Sequence, residues 1–207
     1  MMKVKNNVLK VLFISLMFSF AACSSDDDNP NDDNGGTIGG NHTYDIELVG
    51  ASETIELSAS IPNPPQEGEE DAFSVSAVYG SNPDDSDGDD NMVISMSIFN
   101  NASSEMIYGL FNLGDNRQAL YPFAHPDDND DDNETGLAIR PAGLSTVYES
   151  ISGTLNFSNV KLSGTTIATG VSSFTLNFSG DFIDEDDNIY QGSGTIVISP
   201  LEGLNYN

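Results

Sequence analysis

The residues of this chain best placed to do chemistry are its acids. They gather in three short runs: NPDDSDGDDN at 82–91, HPDDNDDDNETG at 125–136 and DEDDN at 184–188. Carboxylates at alternate positions of a tight loop offer hard oxygen ligands, and calcium accepts about six to eight of them with loose angles. On that ground Asp85, Asp87 and Asp89, with Asp184, Asp186 and Asp187, are candidate metal ligands. Ca2+ is the one cofactor they suggest. Asp, Asn and Gly also build turns, so plain solvated turns account for the same runs without an ion.

The first run resembles a calcium loop of the D-x-[DN]-x-[DN]-G kind. Aligned on Gly88, Asp85 and Asp87 fill the second and third ligand places. Pro83 stands at the first place and no Glu stands at the distant bidentate one, so the loop is not an EF-hand. Its oxygens could still serve another geometry. If the chain forms ten strands and every connection reverses direction, 82–91 and 184–188 fall at one end of the domain and 125–136 at the other. Asp85, Asp87 and Asp89 would then face Asp184, Asp186 and Asp187.

Other chemistry finds little support. Cys23 is the chain's one cysteine, so no disulfide forms within it, and no cysteine remains for thiol catalysis beyond residue 23. His42 and His125 are the two histidines, too few for a zinc site without carboxylates. No G-x-S-x-G elbow occurs. Paired carboxylates could hydrolyse glycosides, but among 33 acids a pair carries no information. Trp, the usual platform under a sugar ring, is absent. In ALYPFAHP (119–126) Tyr121, Phe123 and His125 alternate beside Pro, a candidate ligand-contact edge, although Tyr121 and Phe123 also suit an ordinary core.

What positions these residues begins with the leader. MMKVKNNVLK is basic, and VLFISLMFSFAA is twelve apolar or small residues. That is short for a membrane-spanning helix, which needs about 18–20, and right for the hydrophobic region of a signal peptide. FAAC then puts two small residues directly before the cysteine, which resembles the lipobox of bacterial lipoproteins. The resemblance implies cleavage after Ala22 and acylation of Cys23, with Phe20 where that family usually has Leu. Several acyl chains anchor stably where one does not. The following SSDDDNPNDDNGGTIGGN (24–41) holds Ile38 as its single large apolar side chain and predicts a flexible tether. Ser24 after the cysteine, and the acidic run, resemble the outer-membrane sorting and surface-export signals of Bacteroidota lipoproteins.

From Cys23 onward 33 acids face only Arg117, Arg140 and Lys161, a formal charge of −30. Phosphate recognition needs clustered Lys and Arg, so nucleic acid is excluded as a partner. Self-repulsion at this charge costs stability, which salt, divalent cations or placement of the acids in loops would relieve.

From His42 the apolar period is two. Tyr44, Ile46 and Leu48 share one face, as do Ile55, Leu57, Ala59 and Ile61. The same holds for Phe73, Val75, Ala77 and Tyr79, for Met92, Ile94, Met96 and Ile98, and for Phe174, Leu176, Phe178 and Phe182. MIYGLFNL (106–113) is apolar on both faces, as a central strand would be. TLNFS occurs at 154–158 and again at 175–179, which reads as two similar neighbouring strands. No run of ten residues has helical spacing. The expectation is an all-β fold: a signal peptide (1–22), a lipidated tether (23–41) and one antiparallel β-sandwich or barrel-like domain of nine or ten strands (42–207).

The sequence therefore implies an outer-membrane, lipid-anchored protein with a non-catalytic binding or structural role toward an extracellular protein or glycan. The alternatives are a calcium-binding β-module for glycan or protein contact, and an enzyme acting on extracellular polysaccharide.

Overall fold

The computed structural model describes residues 40–64, 72–81, 92–123, 135–164, 170–201, 204 and 206. Among them lie nine strands: β1 (His42–Val49), β2 (Thr54–Ile61), β3 (Phe73–Ser81), β4 (Met92–Asn100), β5 (Met106–Leu113), β6 (Gly136–Arg140), β7 (Tyr148–Ser163), β8 (Gly170–Ile183) and β9 (Ile189–Ile198). The period-two patterns become their inward faces. Tyr44, Ile46 and Leu48 are buried between exposed Asp45, Glu47 and Val49. Ile94, Met96 and Ile98 are buried on β4, and Phe174, Leu176, Phe178 and Phe182 on β8. β5, apolar on both faces in the sequence, does lie inside the sheet, between β4 and β6.

From β3 to β9 each strand pairs antiparallel with the next, β9 then pairs with β1, and β1 with β2. One further pairing folds this meander over. At the start of β8, Gly170 and Val171 pair with Tyr79 and Val78 of β3, closing a circuit of β3, β4, β5, β6, β7 and β8. β9 occupies the same edge of β8 from Phe174 onward. β3 and β9 therefore diverge, and the sheet doubles over a shared core in a sandwich-like arrangement. Tyr44 on β1 donates its hydroxyl hydrogen bond to Glu105, just before β5, across that core.

The doubling requires long strands that bend. β7 and β8 pair over most of their length, with register shifts between Ser150 and Ser152 and between Ser158 and Lys161. Extra residues of this kind sharpen local twist and turn a strand. Asn159 takes a left-handed backbone (φ 55°) at the second shift, and Gly153 sits at φ 143° beside the first. Gly153 pairs with Gly180. A Cβ added to Gly180 would lie 1.9 Å from the Ser152 carbonyl oxygen, so this approach of two backbones requires glycine.

The duplicated TLNFS finds a simple explanation. The two copies are antiparallel partners centred on Asn156 opposite Asn177, with Leu155 against Phe178 and Phe157 against Leu176. An antiparallel pair of identical motifs puts each apolar residue opposite an apolar one and each polar residue opposite a polar one. Phe157 also stacks edge-on to Phe111 at 5.2 Å and Phe174 at 5.3 Å, joining β7 to β5 and β8. Burying each such ring contributes about 2–3 kcal/mol.

His42, at the start of β1, is buried, and its Nδ1 accepts the Ser199 amide at 3.1 Å. Burial lowers its pKa from 6.5 to about 4. The imidazole is therefore neutral in the fold, while the unfolded chain takes up a proton as pH falls below about 6.5. The contribution is complete above that pH and is lost as pH falls toward 4, up to about 3 kcal/mol. Melting between pH 7 and 4 should show wild type losing stability relative to His42→Gln, which keeps an acceptor without the titration. Parallel curves would refute this. Gly180→Ala should cost about 2 kcal/mol or more in chemical denaturation, whereas Gly136→Ala, whose Cβ meets only Ser150 Oγ at 3.9 Å, should change stability little.

Candidate functional site

The 184–188 run is a hairpin loop joining β8 to β9, and Asp184 holds it shut. Its Oδ1 accepts the amides of Asp186 and Asn188, both at 2.9 Å, and its Oδ2 accepts the Asn188 side-chain amide at 2.9 Å. The backbone closes alongside, Asp184 N–H to Asn188 carbonyl and Asp187 N–H to Asp184 carbonyl, both 3.2 Å. Asp187 supplies the left-handed residue (φ 63°). Burial by itself pulls the Asp184 carboxyl up, but the hydrogen bonds from Asn188 and Asp186 outweigh it and leave the pKa below 3.8. This Asp serves the turn, and Asp186 and Asp187 point into solvent. Among the described residues no three His, Cys, Asp or Glu side chains converge to hold a metal. Asp85, Asp87, Asp89, His125 and Cys23 lie outside those residues.

The placement of the first and third acidic runs at one end rests on a count of ten strands, and the described strands number nine. Run 82–91 joins β3 to β4, whereas 184–188 joins β8 to β9. The end of β3 pairs with Gly170 at the beginning of β8, and Asp184 follows its final residue. The described end of β3 and the end of β8 that leads into Asp184 thus lie at opposite ends of β8. A ten-strand count set them together, and one strand fewer before residue 184 reverses the parity. Within 119–123, the described part of ALYPFAHP, Ala119 makes only an isolated bridge to Leu113.

Phe123 is likewise corrected as a ligand contact. It is buried, with its ring edge-on to Phe178 at 6.2 Å and Phe182 at 5.9 Å. Tyr121 is half-buried beside it in the chain.

The arrangement that the motif search missed is the outer face of β7, β8, β9 and β1. Along β8 the outward residues Asn177, Ser179 and Asp181 stand about 7 Å apart, and each is held by a cross-strand partner. Thr195 Oγ1 donates to Asn177 Oδ1 at 2.8 Å. Thr154 and Ser179 share a hydroxyl hydrogen bond at 3.2 Å. Ser152 Oγ donates to Asp181 Oδ2 at 2.8 Å, and the Gln191 side-chain amide donates to Asp181 Oδ1. The rungs continue in register onto β1, with Ser193 opposite Glu47 and Thr195 opposite Asp45. Glu47, Thr154, Ser179, Asp181, Gln191 and Ser193 line a shallow depression of about 430 Å3 in this face, with Gly180 and Gly192 among them. No single strand carries a recognisable motif for it. The signal lies in Ser, Thr, Asn and Gln filling outward positions where long charged side chains are usual, and it becomes a site only once register is known.

Chemically, the face offers hydroxyls and amides held by their neighbours, with the carboxylates of Asp181 and Glu47 among them. It suits hydrogen bonding to a polyhydroxylated ligand. No family model, curated protein or solved structure matches the chain.

Asp184→Ala removes three accepted hydrogen bonds from one turn and should lower stability by about 1–2 kcal/mol, a drop of a few degrees in Tm. Because the folded carboxyl titrates below its ordinary value, the contribution is present above pH 3.8 and is lost below it. A variant that melts like wild type at pH 7 would show that the Asp184 bonds contribute nothing.

Proposed function

We propose that this chain is a lipid-anchored, non-catalytic binding protein of a bacterial outer membrane. In this reading Cys23 is the acylated residue, residues 24–41 are the tether, and the β domain captures an extracellular glycan on the outer face of β7, β8, β9 and β1. The observation that carries the binding role is the set of three hydrogen-bonded rungs at Asn177, Ser179 and Asp181. Side chains already locked by their neighbours lose little freedom when a ligand replaces solvent, and preorganisation of this kind is what lets polar contacts yield affinity. Ordered water on such a face is readily exchanged for sugar hydroxyls. The charge narrows the ligand: with a formal −30 from Cys23 onward, sulfated and uronic chains are repelled, and neutral or amine-bearing glycans are favoured.

Two experiments test the two halves. Cys23→Ala should move the protein from the membrane to the soluble fraction, and retention in the membrane would remove the anchor from the reading. On a glycan array the full chain should bind neutral glycans equally with calcium or with chelator, since the proposed contacts are hydroxyls and amides. Ser179→Arg fills the middle rung from an exposed position. It should abolish the signal while shifting Tm by no more than about 2 °C. Silence of wild type across neutral glycans, or equal binding by the variant, would sink the glycan reading.

A further inference from the structure

Among the described residues the sheet has a free edge at β2, and we infer that it accepts an extended segment of another protein as an added strand, one that alternates apolar with basic side chains. β2 pairs with β1 through eight consecutive residues, Thr54 opposite Val49 to Ile61 opposite His42, with no shift of register. It has no other strand partner among the described residues. A straight edge of this length presents a row of unpaired backbone donors and acceptors, and soluble proteins usually guard such edges with Lys, Pro or a bulge. TIELSASI contains none of these.

Side chains on the two faces define what fits. On the inner side Leu57 and Ile61 are buried, while Ile55 and Ala59 are only partly covered although they pack on the core. An added strand places every second side chain beside them, so apolar residues there complete the burial. On the outer side Thr54, Glu56, Ser58 and Ser60 are exposed. Glu56 stands directly opposite Glu47 on β1, and Asp45 lies two residues along the same face. Like charges directly opposite are destabilising, and neither β1 nor β2 carries a Lys or Arg to relieve them. A Lys or Arg at the outward positions of the new strand would stand beside Glu56. Backbone bonds would then supply affinity and the alternating side chains specificity.

The same charge argues against a second copy as the occupant. Pairing β2 with β2 brings together two domains of the same strong negative charge along an acidic margin. Self-repulsion thus does the guarding that Lys or Pro does elsewhere, while leaving the edge open to a cationic strand.

The test uses the full chain in detergent at physiological salt and a nine-residue peptide alternating Val and Lys. A matched peptide N-methylated on every backbone nitrogen keeps the charge but offers no backbone donor on either edge. The expected result is binding of the first peptide with slowed hydrogen exchange of the β2 amides that point away from β1, at least tenfold weaker binding of the methylated one, and roughly tenfold weaker binding to Glu56→Lys. Equal binding of the two peptides, or binding without protection of β2, would reduce the effect to nonspecific attraction and overturn the proposal. So would protection, without peptide, of the β2 amides that point away from β1, whether sedimentation shows a dimer, which makes a second copy the occupant, or a monomer, which makes a segment of this chain the occupant. Should Glu56→Lys fail to fold, the comparison of the two peptides on wild type decides alone.

Discussion

Hydrogen bonding along both edges of β8 holds this architecture together. One edge meets β7 from Val171 to Ile183. The other is shared, by β3 at Gly170 and Val171 and by β9 from Phe174. An antiparallel meander alone would give an open sheet with one wet face. The handover of an edge from β9 to β3 is what closes the circuit and makes two layers. It works only because β8 and β7 are long and bent, which returns the argument to Gly153 and Gly180, where the two backbones approach too closely for any side chain. The core follows from that closure: Phe111, Phe157 and Phe174 touch because the strands that bear them have been folded over one another.

A domain so acidic must still bury apolar surface, and the distribution of its few cations shows how. Arg117 donates to the Val160 carbonyl at 2.7 Å, and Arg140 donates to the Ser104 carbonyl at 2.9 Å. Both therefore help tie connecting segments to the rest of the fold. Among the described acids, Asp184 closes a turn, Glu53 accepts the Tyr190 hydroxyl at 2.9 Å, and Glu105 accepts that of Tyr44. These carboxylates sit at strand ends and are satisfied by hydrogen bonds. That arrangement keeps charge away from the core.

Much of the fold was legible in the sequence because a sheet with one wet face writes its period into the chain. The inward residues of β1, β4 and β8 were readable from alternation, and so was the interior position of β5 from its two apolar faces. The kinship of β7 and β8 was readable from TLNFS. Ends and parities were not. ALYPFAHP has the alternation of a strand, yet Phe123 is drawn into the core beside Phe178 and Phe182 while Ala119 makes only a bridge. A count of ten strands in place of nine reverses the parity on which the placement of the acidic loops depended. Alternation reports which face a residue is on and is silent about which strand lies next to it.

The candidate site shows the same limit from the other side. Metal and catalytic motifs are legible because their ligands recur at fixed spacing along one stretch of chain. A binding face on a sheet has no such spacing: Ser152, Asp181 and Gln191 meet through register across three strands, from positions that read individually as ordinary polar surface. The acidic runs attract notice because they are contiguous, yet the described one is absorbed by its own turn. Asp184 and Asp181 are both hydrogen-bonded aspartates of one sequence neighbourhood, and they differ in where their partners stand. Those of Asp184 lie mostly within its own loop and close a turn, whereas those of Asp181 lie on neighbouring strands and form part of an open face. What distinguishes a turn residue from a surface that can receive a ligand is therefore the sequence separation of its partners, a property that exists only after the sheet has formed.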